Sequence, residues 1–276
     1  MNKPTGLIIT ADDFGRHPAI NAAVERAHRD GVLTAASLMV GEAHVAEAVA
    51  IAQRNPKLRV GLHIALTEGR AVLPPAQIPD LVNADGEFPE DAMARDGARF
   101  FFLPWVRRQV AAEIRAQYEA FQATGLNLDH VNAHRHFHLH PTILSLMLSI
   151  GREFGLRAVR LPAEVGAPPI IAPALLWLRR ALKKTGVVHN DQVAGLVHSG
   201  GMDEPQLLQV LAQLAPGVTE IYLHPATVSG RAIAEPMAGY RHADELAALL
   251  SPRVRAALDA LNIPRGGFAD LFGSSA

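Results

Sequence analysis

The chain has 276 residues, 49% apolar and 19% charged, with a formal charge of −1; this describes a folded domain, not a disordered tail, and argues against a nucleic-acid or other polyanionic partner. It contains no cysteine, which excludes disulfides, thiolate ligands and cysteine nucleophiles together, so any metal has to be held by His, Asp or Glu. MNKPTGLIIT lacks the apolar run of a signal peptide, and no stretch reaches the roughly 18 uncharged apolar residues of a spanning helix; the expected location is the cytoplasm, with peripheral contact at the inner membrane face left open.

A length of this order fits one α/β barrel, and a single domain over 1–276 is the expectation. In chain order, GLIIT (6–10) reads as a strand, followed by the helix AINAAVERAHRDG with Gly31 as its C-cap. AASLMV (35–40) and VGLHIAL (60–66) read as strands around the helix AHVAEAVAIAQRN. Residues 70–104 carry Pro74, Pro75, Pro79, Pro89 and Pro104 with little periodicity, and read as a long excursion, a lid or substrate wall or a loop with no part in chemistry. A helix follows from Val106 to Thr124, then the strand LDHVNAH (128–134), the helix TILSLMLSIGREFG and the strand AVRL (158–161).

APPIIAPALLWLRRALKK (167–184) begins proline-rich and apolar and ends basic, as a core helix with a solvated end or a helix lying at a lipid surface would. The strand VAGLVH (193–198), the helix EPQLLQVLAQLA, the strand EIYLH (220–224), the helix ADELAALLSPRVRAALDALN and a last strand in GFADLF (267–272) complete the pattern. Strand alternating with helix about seven times predicts a parallel sheet, and seven or eight units favour a barrel over an open doubly wound sheet.

Polar, chemically capable residues follow the apolar part of the strands: Asp12 and Asp13, His63, His134, Arg160, His198 and His224. In a parallel barrel the C-terminal strand ends open on one face, so residues over 200 positions apart would meet there. DHVNAHRHFHLHP (129–141) holds five of the 13 histidines. As a strand it would turn His130, His134, His136, His138 and His140 to one face, with His134 and His140 roughly 20 Å apart. One ion, whose ligands sit about 2 Å away, could then use only one or two of them. The remaining ligands would come from His63 and the Asp12/Asp13 pair, leaving the other histidines to orient ligands, bind substrate or shuttle protons.

Of two adjacent aspartates, one can ligate a divalent ion while the other accepts a proton; either could instead cap the following helix. The DFG triplet at 13–15 stands without a glycine-rich loop or an HRD loop, so it carries no kinase meaning. GxSxG, HExxH and P-loop patterns are absent, and HSGG (198–201) reads as a turn. A two-metal phosphoesterase would want more carboxylates or basic residues at the mouth; a non-catalytic metal- or lipid-binding protein is the rival of another class.

TADDFG (10–15), VGLHIALTEG (60–69), HVNAHRHFHLHP (130–141), AVRLPAE (158–164) and YLHPAT (222–227) together resemble the YdjC-like carbohydrate deacetylases over nearly the whole chain. The resemblance implies a distorted (β/α) barrel, a homodimer, and removal of N-acetyl groups from amino sugars with one divalent ion. By motif, Asp13, His63 and His134 would bind the metal, Asp12 would be the general base and His224, near a physiological pKa, the general acid. Arg160, with Pro162 and Glu164 after it, would fix substrate or tune Asp12, and His136 and His138 would touch substrate or support ligands. Magnesium is the family expectation, whereas two histidines and a carboxylate suit zinc, iron, cobalt, nickel or manganese. Where many members have Asp-Ser before the histidine run, Asn132 and Ala133 stand here. The form NAHRHFHLHP is similar to the hopanoid-biosynthesis branch (HpnK), implying a glucosamine-type sugar on a hopanoid lipid; a chitooligosaccharide is the alternative substrate.

Overall fold

The computed structural model describes residues 3–90, 92–164, 166–227, 233–234 and 237–273, with the side chains of 92–95 outside that description. Six strands form one parallel sheet: β1 (Pro4–Phe14), β2 (Ala35–Leu38), β3 (Arg59–Ile64), β4 (Val131–Ala133), β5 (Gln192–Ala194) and β6 (Gly217–Leu223), in the order β4-β3-β2-β1-β6-β5. The helices are α1 (Pro18–Arg29), α2 (Val45–Arg54), α3 (Ala92–Phe102), α4 (Pro104–Ala123), α5 (Pro141–Gly151), α6 (Ala172–Thr185), α7 (Glu204–Ala212), α8 (His242–Leu250), α9 (Pro252–Leu261) and α10 (Phe268–Phe272). β1 is central and buried from Gly6 to Phe14, as a strand covered on both faces must be. Its apolar side chains join one continuous cluster with the inner faces of the helices.

Among the described residues six regular strands stand where seven or eight were expected, and AVRL shows why. Residues 158–160 extend the sheet beyond β4 by single bridges, Val131 to Val159 and Ala158 to Val188. At Leu161 the side chain of Asn190 replaces the ladder: the Leu161 N–H donates to Asn190 Oδ1 (2.7 Å), and Asn190 Nδ2 donates to the Leu161 carbonyl (2.8 Å). Val193 N–H then donates to the Ala163 carbonyl, so the sheet curls and its two edges meet through this segment. GFADLF is the helix α10, not a strand, because the Asp129 carboxylate accepts the N–H groups of Phe268 and Ala269 and caps it.

Other expectations are corrected as well. α1 ends at Asp30 in the right-handed region; Gly31 is needed for space, since a Cβ there would sit 2.5 Å from the carbonyl oxygens of Ala27 and Leu249. The last long helix breaks at Ser251-Pro252, where the serine caps α9 and proline fills its first position, a place that needs no N–H. The 70–104 excursion contains α3 and closes on itself through an antiparallel bridge between Arg70 and Glu87; residue 91 lies outside the described residues. In α6, Leu178 and Leu182 are buried while Leu176 and Trp177 are exposed. Among the described residues no helix is long and apolar enough to cross a membrane.

The histidine run departs furthest from expectation. β4 covers only Val131–Ala133, and 134–139 coil tightly, with Arg135 (φ 54) and His136 (φ 53) both left-handed. The turn buries Phe137 against Phe100, with ring centroids 5.7 Å apart, and breaks the alternation that a strand would have imposed.

Candidate metal and active site

β1 carries Asp12 and Asp13 just before its last residue, Phe14, and Asp13 is left-handed at φ 63, a conformation aspartate tolerates better than most residues. The register of β3 on β4 pairs His63 with Asn132. The Ala133–His134 step then brings His134 to the same point.

Three ligand atoms converge there. His134 Nδ1 lies 3.0 Å and His63 Nε2 3.4 Å from Asp13 Oδ1, with 3.3 Å between the two nitrogens. The imidazoles stand nearly perpendicular, at 82°. Both Asp13 oxygens are buried without a hydrogen bond, a costly state for a carboxylate unless a cation meets it. Burial pushes the Asp13 carboxyl up, but the charges at His134 and Arg16 hold it well below the usual range. Burial pushes His134 down, yet Asp13 and Glu68 carry it up to about 9. The site therefore draws positive charge, and donor set, spacing and orphaned oxygens fit a divalent ion.

Each imidazole is also held from behind. His63 Nδ1 lies 2.6 Å from the Asn132 side-chain oxygen, and His134 Nε2 lies 3.2 Å from Glu68 Oε2. Glu68 accepts a second bond from Arg135 Nε and is itself left-handed at φ 51.

Asp12 sits on a buried guanidinium. Arg160 Nη1 and Nη2 donate to its two oxygens, while Nε and Nη2 donate to Glu220 (3.0 and 2.8 Å). Thr10 Oγ1 also donates to Glu220 (2.8 Å), and the Tyr222 ring lies 4.6 Å from the guanidinium carbon. Burial opposes ionisation of Asp12, but Arg160 overrides it and holds the carboxyl far below its ordinary range. Arg160 is fully buried and stays behind Asp12, out of the cavity.

A cavity of about 250 Å³ opens over these groups, lined by Asp12, His63 and His134 on its floor and by His136, Tyr222 and His224 on a wall. His136 Nε2 lies 3.0 Å from the Tyr222 hydroxyl. His138 is buried against the Arg160 carbonyl (3.0 Å) and does not line the cavity. His130 is buried between Asp129 and Ser37, and His140 caps α5. His224 Nδ1 faces no partner, and burial, partly offset by Asp13 and Glu245, holds its imidazole below the ordinary value instead of near it.

Among the described residues none of the lining comes from 70–104; Leu196, Ser199, Met237 and Tyr240 stand at the rim. Glu164 anchors that rim by accepting the N–H groups of Leu196 and Val197 (2.6 and 3.1 Å). Glu68, Glu220 and Tyr222 escaped sequence reading, although Glu220, Tyr222 and His224 are spaced by two along β6 and its exit. That alternation was the available signal.

Comparison with known proteins places this geometry. The sequence profile described as YdjC-like protein matches residues 6–260. The chain belongs to the YdjC-like protein family. Curated relatives include a carbohydrate deacetylase of Geobacillus stearothermophilus, 30% identical over 90% of this chain and 91% of that protein. A carbohydrate deacetylase of Brevibacillus brevis is 30% identical over 80% and 81%, and a chitooligosaccharide deacetylase of Yersinia pestis 28% identical over 96% and 98%. A crystal structure of an Enterococcus faecalis protein, described as a candidate cellobiose-phosphate cleavage protein, superposes with a TM-score of 0.78 at 26% identity, covering 98% of this chain and 99% of that one.

Proposed function

We propose that the protein is a metal-dependent hydrolase that removes an N-acetyl group from an amino sugar. The observation that carries the reading is an arginine-held carboxylate, Asp12, beside the Asp13–His63–His134 triad on the floor of one cavity. A divalent ion held by Asp13, His63 and His134 would supply Lewis acidity toward an amide carbonyl and would make water acidic enough to lose a proton near neutral pH. Asp12 accepts that proton, and Arg160 keeps it ionised and oriented at every working pH. His224 serves the departing amine from the wall. Burial holds its imidazole below the ordinary value, so the proton that it hands to the amine is the one that Asp12 takes from water and gives up to it, not one carried in advance. Two imidazoles and a carboxylate suit zinc or a late transition ion better than magnesium, which prefers an all-oxygen shell.

The test is acetate release from N-acetylglucosaminyl substrates by zinc-loaded protein. Asp12→Asn is expected to keep the metal and lose about 10²–10⁴ in rate; His134→Ala is expected to lose both. Full activity in both variants overturns the site, and a wild type that holds zinc but never releases acetate leaves the non-catalytic reading standing.

For the substrate's other end, a hopanoid-type lipid aglycone is supported by apolar surface at the rim: Leu196 lines the cavity, and the next residue, Val197, is 45% exposed. The second reading, a chitooligosaccharide, is supported by the name of the Yersinia relative. Acetate from the lipid-linked sugar alone decides for the first; acetate from chitobiose decides for the second. Membrane contact and pairing of two copies belong to the same proposal and are read by liposome flotation and sedimentation.

A further inference from the structure

We infer that Glu245 and His242, one turn apart at the start of α8, are positioning residues for His224; the inference rests on the acid role given to His224 above. β6 ends at Leu223, which is also its last residue paired with β1. His224 therefore leaves the sheet with its peptide groups buried and without a strand neighbour, and buried peptide groups have to find partners. α8 supplies both. Glu245 Oε2 accepts the His224 N–H (2.5 Å), and His242 Nδ1 lies 2.5 Å from the His224 carbonyl oxygen. A carbonyl only accepts, so Nδ1 of His242 is a protonated nitrogen. Both side chains are buried. The His242 carbonyl in turn accepts the Ala226 N–H (3.2 Å), so the chain after His224 is fastened to the same helix end.

The imidazole of His224 has no hydrogen bond of its own at Nδ1, which is buried and faces no partner. Its place is set by its backbone and by packing between Tyr222 and Tyr240, whose ring centroids lie 5.7 and 5.0 Å away. The start of α8 holds the Tyr240 side as well. Glu245 Oε1 accepts the N–H of Met202 (3.0 Å), directly after HSGG, and the Arg241 N–H donates to the Gly200 carbonyl (2.7 Å). Tyr240 lies on Gly200, where a Cβ would come within 2.4 Å of its ring, and shares a hydrogen bond with Ser199 (3.0 Å). HSGG is thus the loop that backs Tyr240, and Glu245 joins it to the strand exit through the two oxygens of one carboxylate. A general acid has to stay within hydrogen-bond reach of its leaving group, and a shift of about 1 Å can cost about 10²-fold. Only a carboxylate serves both N–H groups; an amide of the same size has one oxygen and turns its NH₂ on the other donor.

The experiment compares two rates of the zinc-loaded full chain. One is acetate release from an N-acetylglucosaminyl substrate, whose amine needs a proton to leave. The other is hydrolysis of 4-nitrophenyl acetate, whose phenolate leaves without one, counting only the ester rate that Asp12→Asn removes. Glu245→Gln is expected to lower the amide-to-ester ratio about 10²-fold. His224→Ala is expected to lower it at least as far, and the double variant no further than His224→Ala, because both changes act through one group. His242→Asn, which keeps a donor at that place, is expected to lower the ratio less than His242→Leu, and this pair decides if Glu245→Gln does not fold. Equal losses on amide and ester mean a role in the fold as a whole and overturn the inference, as does a double variant that falls below His224→Ala. A wild type that releases no acetate, or a His224→Ala variant with an unchanged ratio, fails differently: it overturns the reading of the site, and the inference falls with it.

Discussion

His134 Nε2 lies 3.2 Å from Glu68 Oε2 while Nδ1 of the same ring lies 3.0 Å from Asp13 Oδ1. The carboxylate fixes which nitrogen faces the metal position and raises its basicity, the usual service of an acceptor behind a ligand imidazole. Glu68→Ala is expected to weaken zinc binding about 10- to 100-fold, and Glu68→Gln, which still offers an oxygen, by less. Competition against a chromophoric chelator measures both. Equal affinity in wild type and Glu68→Ala would remove Glu68 from the site.

The Arg160 guanidinium pairs with both Asp12 and Glu220 inside the fold, where Glu220 is fully buried and Asp12 meets only the cavity. Removing one partner of such a cluster leaves uncompensated buried charge, whereas removing all of it is far milder. Arg160→Met is expected to lose about 3–5 kcal/mol of stability. The triple variant with Asp12→Asn and Glu220→Gln should recover most of that loss in urea unfolding. No recovery would mean that the guanidinium acts through packing alone.

The parallel α/β pattern and the strand ends that carry chemistry were readable because burial on both faces leaves apolar runs that stop at polar residues. Asp12, His63, His134 and His224 line one cavity, and Asp13 is buried against His63 and His134 beneath it. The path of the histidine run was not readable, because two successive left-handed residues, Arg135 and His136, carry no glycine to announce them. Residues 158–161 failed as a strand for a related reason: the Asn190 side chain, distant in sequence, takes the place of a backbone neighbour. Glu68 was hidden because its partner, His134, is 66 residues away and meets it only in the fold.

Gly195 carries φ 124, and a Cβ built on it would lie 2.4 Å from the Tyr222 carbonyl oxygen, which is backbone and cannot swing aside. Gly195→Ala is therefore expected to cost about 1–3 kcal/mol from strain and overlap. It should also shift Tyr222, a wall of the cavity, and raise KM more than it lowers kcat. Thermal unfolding and steady-state kinetics on the same preparation test both halves, and an unchanged Tm would refute the close approach.

His138 gives the pH dependence a definite sign. Burial, reinforced by the Arg160 charge, pushes its imidazole down to about 3 despite its contact with the Arg160 carbonyl. An unfolded histidine titrates near 6.5, so between pH ~6.5 and ~3 the unfolded chain holds a proton that the folded chain refuses. Stability from this group is therefore complete above pH ~6.5 and falls as pH drops, by about 1.4 kcal/mol per unit, levelling near the folded value. His138→Gln keeps a donor for the Arg160 carbonyl and removes the titration. The variant is expected to be the less stable protein at pH 7.5, and the gap should narrow or invert by roughly 2–3 kcal/mol at pH 4.5, since Asp12 and Asp129 titrate alike in both proteins. Urea unfolding at the two pH values reads the difference directly; a gap that stays constant would mean that His138 takes up its proton inside the folded chain.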